Sequence, residues 1–302
     1  MLEAVCGAGK TEIVFETIAA MLDRGKRVGF AIARRQVVLE IAERLQKAFS
    51  KTKVVPVCQG YTKDIYGAII VMTTHQLYRY PNYFDLLIID EPDAFPFKGN
   101  VVLQGICQKA CKGVKVYLTA TPDEELKKQV KEGKLEYLYL AKRPTGHDLC
   151  IPTVYYCGEL EMYIRLALIV KKLYEMRKPI LLFVPSIRQS EFLYYVLNLF
   201  IPCCRINSKS KDKDQTIKAF KNGKYDICIS TTILERGITI PKVNVIVYHC
   251  DSPVFDEASL TQISGRVGRS IDCPDGYCYF LSSKRKSEID DCITSLQRAN
   301  NA

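Results

Sequence analysis

Several absences narrow the field. The thirteen cysteines of the 302-residue chain include no Cys-x-x-Cys pair, and Cys6, Cys228 and Cys250 sit within apolar runs. That excludes a secreted disulfide scaffold and fits buried, reduced thiols in an intracellular chain. No apolar run reaches the roughly 18 residues that a membrane helix needs. The opening "MLEAVCGAGK" lacks the basic region and apolar core of a secretory signal. Low-complexity tracts and repeats at a solenoid period are also missing, so stacked-repeat scaffolds are excluded. A soluble, cytoplasmic protein is the expectation.

What is present suits a globular chain. The apolar fraction is 48%, enough for sizeable cores, and the length is comfortable for two domains. Formal net charge is +10 and the pI about 8.9, a moderate lean toward polyanions such as nucleic acid. A basic protein with no such partner carries the same charge.

Short apolar runs alternate with longer amphipathic segments. "VGFAIA" (28–33), "KVVPV" (53–57), "AIIVMTT" (68–74), "LLII" (86–89) and "VKVYLTAT" (114–121) read as strands apolar on both faces. Between the first two, "QVVLEIAERLQKAF" (36–49) spaces Val38, Ile41, Leu45 and Ala48 as a helix does. Pro, Gly and charge cluster at 140–154, and then the pattern restarts. "EMYIRLALIVKKLYEM" and "RQSEFLYYVLNLF" read as helices; "PILLFVPS", "YDICISTT", "KVNVIVYHC" and "GYCYFLSS" read as strands. Strand followed by helix, repeated, implies an α/β fold with mostly parallel sheets flanked by helices. The expected division is two α/β lobes, 1–145 and 146–302.

Four segments carry chemistry. "AVCGAGKTE" (4–12) is a phosphate loop with Ala4 in place of the first glycine. Gly7, Ala8 and Gly9 would wrap backbone N–H groups around phosphates, Lys10 would reach the β and γ oxygens, and the Thr11 hydroxyl would hold Mg²⁺. The following helix would point its positive end at the anion. Such a site needs an acid at the end of a neighbouring strand, and "LLIIDE" supplies Asp90 for Mg²⁺ and Glu91 to orient the attacking water. Read alone, the same acids fit a solvated turn. In "QISGRVGR" (262–269), Gln262, Arg266 and Arg269 are spaced to share one helical face, where the arginines would ligand phosphate and one would act as an arginine finger. A basic helix surface is the plainer alternative. In "YLTATP" (117–122), the hydroxyls of Thr119 and Thr121 flank a strand end close enough to sense the acids, although a Thr-rich strand end is commonly structural.

Together the chain resembles a superfamily-two helicase core, with "GAGKT", "DEPD", "TAT", "STTILERGITI" and "QISGRVGR" in family order across its whole length. Within that superfamily, "AVCGAGKTE", "TTHQLYR", "DEPDAFPF" and "YLTATP" resemble the ComFA competence family, itself similar to the primosomal helicase PriA. The resemblance implies two RecA-like lobes with ATP and Mg²⁺ in a cleft between them. It assigns Thr119 and Thr121 to coupling of hydrolysis to motion. Glu235 and Gly237 would join Gln262, Arg266 and Arg269 in completing the nucleotide site. It implies a path for single-stranded DNA over Arg34, Thr73, Thr74, His75, Pro185, Ser186, Thr231 and Thr232, mostly through phosphate and sugar. His75 and Ser186 equally fit ordinary strand-end polar residues.

The implied activity is an ATP-dependent single-stranded DNA translocase or helicase drawing transforming DNA into the cytoplasm. It would work with other competence proteins at the uptake channel, at the inner face of the membrane. An RNA helicase of the same superfamily, or a nucleic-acid-binding scaffold without ATP turnover, are the alternatives. "DEPD" is not the DEAD-box form, and Lys10, Thr11, Asp90, Glu91, Arg266 and Arg269 all argue against a dead pocket.

Two departures stand out. Pro92 should drive Glu91 out of helical angles and make the chain leave its strand sharply, while the partner of Asp93 is undetermined. The sequence also begins almost on the phosphate loop, with only "MLEAV" to form the strand that feeds it. The adenine-recognising segment and the four-cysteine zinc module usual in the ComFA family are expected in a missing preceding segment.

Overall fold

The computed structural model describes the whole chain except residues 6, 144–145, 211, 232–239, 270–273 and 302. Contacts divide it into two compact units, Met1–Leu140 and Ala141–Ala302.

In the first unit the elements run β1 (Leu2–Ala4), α1 (Lys10–Ile13), α2 (Phe15–Asp23), β2 (Val28–Ile32), α3 (Arg35–Ala48), β3 (Val54–Val57), β4 (Ile69–Thr73), a 3₁₀ segment (Thr74–Arg79), β5 (Phe84–Asp90), α4 (Val101–Ala110), β6 (Cys111–Thr119), α5 (Glu124–Lys131) and β7 (Leu138–Leu140). The strands form one seven-stranded sheet, ordered β3-β4-β2-β5-β6-β1-β7, and every pairing between them is parallel. Why its central strands read as unbroken apolar runs is visible at β5. Leu86 and Ile88 pack toward Ile18 of α2 and Val38, Ile41 and Leu45 of α3. Leu87 and Ile89 pack toward Leu103 and Cys107 of α4 and Leu126 of α5. Successive side chains point to opposite faces, and both faces are covered, so alternation disappears. Even the five residues "MLEAV" suffice: Leu2–Ala4 pairs with β6 on one side and β7 on the other.

The second unit comprises β8 (Thr153–Tyr156), α6 (Glu159–Glu175), β9 (Ile180–Phe183), α7 (Ile187–Leu197), β10 (Cys203–Ile206), α8 (Lys213–Lys221), β11 (Ile227–Ser230), β12 (Asn244–Tyr248), α9 (Glu257–Ser264), β13 (Cys278–Ser282) and α10 (Ser287–Asn300). Its six strands pair in parallel in the order β10-β11-β9-β12-β13-β8. Four helices start where a side chain satisfies a free N–H: Asn100, Asp123, Ser186 and Asp256 each accept a backbone hydrogen bond from three residues ahead. Among the described residues, the cysteines are free and mostly buried, and no helix is long and apolar enough to cross a membrane.

Candidate functional site

In an open parallel sheet, ligands bind beyond the carboxyl ends of the strands, where the strand order reverses. Here β1 lies between β6 and β7, and the candidate residues of the first unit fall along that carboxyl edge. Ile32 pairs with both Thr73 and Asp90, Asp90 pairs with Leu118, and Leu118 pairs with Leu2. Asp90 thus ends a strand two positions from the one feeding the phosphate loop, about 10 Å at the usual inter-strand spacing.

The loop has the backbone its role requires. Gly7 and Gly9 have φ of 83° and 76°, left-handed values at which a side chain would be strained. Ala8 is buried and its N–H bonds back to the Val5 carbonyl at 3.1 Å. The helix beyond departs from expectation. It makes a single turn over Lys10–Ile13, passes through Val14, and restarts at Phe15 as α2. Thr11 is buried; Lys10 is half-buried and in the field of Glu3 on β1. Burial pushes the Glu3 carboxyl up, offset by a 3.0 Å hydrogen bond from Tyr137 Oη and by Lys127 and Lys10.

The loop after β5 is built tightly. The Glu91 N–H donates to the Leu118 carbonyl at 2.8 Å, and the Glu91 carbonyl accepts from Ala94 N at 3.0 Å. Glu91 has φ 54°, so the residue before Pro92 does leave helical angles, but into the left-handed region rather than the extended one. Asp93 then turns inward and is 6% exposed. Thr119 Oγ1 donates to Asp93 Oδ1 at 2.6 Å and Thr121 Oγ1 to Asp93 Oδ2 at 2.9 Å, while the Thr121 N–H donates to Thr119 Oγ1 at 3.0 Å. The two hydroxyls on either side of Ala120 therefore hold the acid whose partner the sequence left undetermined.

Arg44 of α3 was missed in the sequence. It pairs with Glu12, next to Thr11, and burial lowers its pKa while the nearby Asp90 raises it. Its only sequence trace is a cation on the inner side of a long helix.

In the second unit, Gln262 lies within α9, buried, and its amide nitrogen donates to no group among the described residues. The two arginines do not share its helical face. The helix ends at Ser264, and the backbone tightens to bonds from Arg266 N to Ile263 O and from Val267 N to Ser264 O. It then reverses at Gly268, φ 69°, where a Cβ would meet the Pro274 carbonyl at 2.3 Å. Glycine is therefore obligatory in "GRVGR", and it moves Arg269 off the helix. Arg266 is buried, and Arg269 Nε donates to the Gly265 carbonyl at 2.8 Å.

A second missed residue holds this turn. Arg143, 4% exposed, donates from Nη1 to the carbonyls of Val267 (2.9 Å) and Gly268 (3.0 Å) and from Nη2 to that of Gly265 (3.0 Å). It satisfies the carbonyls of Val267 and Gly268 beyond the helix end and shares that of Gly265 with Arg269. Arg143→Met should cost about 2–3 kcal/mol of stability, because buried acceptors lose a charged donor. A shift of the denaturant midpoint equivalent to less than about 0.5 kcal/mol would show that the clamp is dispensable.

The remaining candidates sit at strand ends. Arg34 is the residue before α3, half-buried Thr73 closes β4, and His75 is exposed. Thr74 is 1% exposed, so its hydroxyl faces protein rather than a strand-binding surface. Ser186 is the cap of α7, accepting from Gln189 N at 3.1 Å and donating to Gln189 Oε1 at 3.0 Å; this is its plainer reading. Pro185 and Thr231 follow β9 and β11, and both are half-buried. Thr232, Glu235, Gly237 and Cys6 lie outside the described residues.

The residues fit a magnesium nucleotide. Left-handed glycines free backbone donors for phosphate, a hydroxyl and a carboxylate supply hard oxygen ligands, and a second acid follows. The sheets are those of a superfamily-two helicase core with two RecA-like lobes. Residues 1–124 match the profile described as the type III restriction enzyme res subunit, and 163–270 match the helicase conserved C-terminal domain. The chain belongs to the ComFA family of competence proteins. It is 36% identical over 313 residues to competence protein ComFA of Streptococcus pneumoniae, covering 99% of this chain and 72% of that protein. Against ComFA of Bacillus subtilis the figures are 37% over 309 residues, 96% and 65%.

Among solved structures, Saccharomyces cerevisiae Dbp5 bound to RNA and ADP BeF₃ superposes with a TM-score of 0.73 at 18% identity, covering 99% of this chain and 82% of that one. Mycobacterium smegmatis helicase Lhr bound to ssDNA and AMP-PNP gives 0.72 at 15%, covering 100% and 46%. At such identities these likenesses concern the fold. The helicase domains define an ATP-dependent enzyme acting on nucleic acid.

Proposed function

We propose that the chain is the motor that moves single-stranded DNA during natural competence, driven by ATP. The carrying observation is the carboxyl edge of the first sheet, where the phosphate loop, the Asp90–Glu91 strand end and the threonine-held Asp93 occupy neighbouring strands. Gly7, Ala8, Gly9, Lys10 and Thr11 hold the phosphates, Thr11 and Asp90 hold Mg²⁺, and Glu91 orients and deprotonates the attacking water. Bound ATP supplies the phosphoanhydride whose hydrolysis drives the cycle. Gln262, Arg266 and Arg269 are the second unit's phosphate-directed residues. Asp93, Thr119 and Thr121 form the coupling element: any displacement of the Asp90–Glu91 loop pulls on the end of β6.

Arg34, Thr73, His75, Pro185 and Thr231 are proposed contacts to the DNA strand, with Thr74 contributing only through its backbone. The net charge of +10 supports a polyanionic partner. The ComFA relatives support DNA as that partner, and a cytoplasmic position beside other competence proteins. Single-stranded DNA should raise steady-state ATP turnover clearly above the DNA-free rate. The stimulation should weaken steeply with salt. Equal stimulation by RNA of the same length would favour the RNA helicase reading, and none from either would overturn the motor.

A further inference from the structure

One face of the second sheet is covered by α6 and α7, whose inner residues Met162, Leu166, Ile169 and Leu193 join its core. A helix lying on a sheet ordinarily turns polar residues outward. These two turn large apolar side chains outward as well. Leu160, Ile164 and Leu168 recur every four residues along α6 at 76, 55 and 62% exposure. Tyr195, Leu199 and Phe200, on α7 and the turn after it, are 68, 78 and 80% exposed. Tyr163 and Phe192 join the two stripes, with ring centroids 5.9 Å apart. At about 150–250 Å² for a large side chain, the exposed fractions of these residues amount to roughly 1,000 Å². The largest patch on a typical monomer is about 300–600 Å².

Charge narrows what covers it. The charged residues of the two helices are Glu159, Glu161, Glu175 and Glu191 against Arg165, Lys171, Lys172 and Arg188, a balance with no surplus of cations on a chain of net charge +10. Arg165 is already paired with Glu161 at 2.8 Å. Nucleic acid and anionic lipid both require a surplus of cations at the contact, so neither fits. A protein surface does. The area exceeds the roughly 800 Å² per partner of a standard stable interface, and two parallel helices flanked by both signs of charge are self-complementary under a two-fold axis.

We propose that the α6–α7 face is the two-fold interface of a homodimer of this chain. Sedimentation velocity over about 1–100 µM, the range that reads a micromolar affinity, should show the chain passing from monomer to dimer. Each substitution enters a two-fold interface twice, so Ile164→Glu on α6 and Phe200→Asp beyond α7 should each weaken the dimer at least about 100-fold. Both sites are exposed, and far-UV circular dichroism should show both variants folded. Hydrogen exchange on the unaltered chain gives a test that needs no variant: amides of 160–168 and 192–200 should slow as concentration rises. A chain monomeric at 100 µM, a dimer indifferent to both substitutions, or exchange independent of concentration would overturn the proposal. So would a face shown to bind only a different protein.

Discussion

Glu91→Gln should lower kcat for ATP hydrolysis by about 10²–10⁴-fold, the usual contribution of a positioned general base. Nucleotide affinity should stay within a few-fold. The structure makes this substitution clean. Glu91 is held by its own backbone, through the bonds to Leu118 and Ala94, at a φ of 54°. A non-glycine residue in that region costs on the order of 1–3 kcal/mol and persists only where the surroundings dictate it. Glutamine has nearly the same shape and inherits the same backbone constraints, so the change removes the base and little else. Single-turnover hydrolysis beside equilibrium nucleotide titration separates the two effects. Hydrolysis at the unaltered rate would remove Glu91 from the chemistry.

The second large effect is expected at Asp93. Asp93→Ala should destabilise the first unit by about 3–4 kcal/mol, since two hydroxyls lose a carboxylate acceptor in a mostly buried site. Thr119 is fully buried and has no solvent to turn to, whereas Thr121 is half-buried. Asn at this position keeps one acceptor oxygen and should fall between. Stability alone would not distinguish a coupling element from ordinary packing. The discriminating measurement is a double-mutant cycle on kcat between Asp93→Asn and Thr121→Val. Coupling should exceed about 1 kcal/mol if the pair transmits force between the two strand ends. Additivity within about 0.3 kcal/mol would reduce the cluster to a structural fastening.

Much of the fold was legible because buried parallel strands advertise themselves. "VGFAIA" and "AIIVMTT" became Val28–Ile32 and Ile69–Thr73, and the Val38, Ile41, Leu45 spacing became the inner face of α3. Short, exposed strands at a sheet's edge were not legible. The three residues of β7 are mostly exposed and pair only at the sheet's edge. Within 140–154, read as a pause, β8 begins at Thr153, and none of its four residues is fully buried.

At the site, motif order conveyed residue identity but not geometry. A three-residue spacing of arginines suggests one helical face, yet the helix ends at Ser264 and the chain then reverses at Gly268 in a left-handed turn. Nothing near Asp93 in sequence names Thr119 and Thr121 as its partners, since they lie 26 and 28 positions further along the chain. Arg143 is still farther from what it touches, 122 residues from Gly265. Partnerships across a sheet or around a turn leave no local periodicity to read.

The carbonyl of Gly265 accepts from two guanidinium groups, Arg143 at 3.0 Å and Arg269 at 2.8 Å. When one donor leaves a doubly held oxygen, the other still satisfies it, and the usual penalty for stranding a buried acceptor does not arise. Arg269 can therefore swing away for the loss of one bond, while the turn that carries it stays shut. The permanent resident makes the visitor's departure inexpensive, and a side chain so placed can alternate between two partners without loosening its own support.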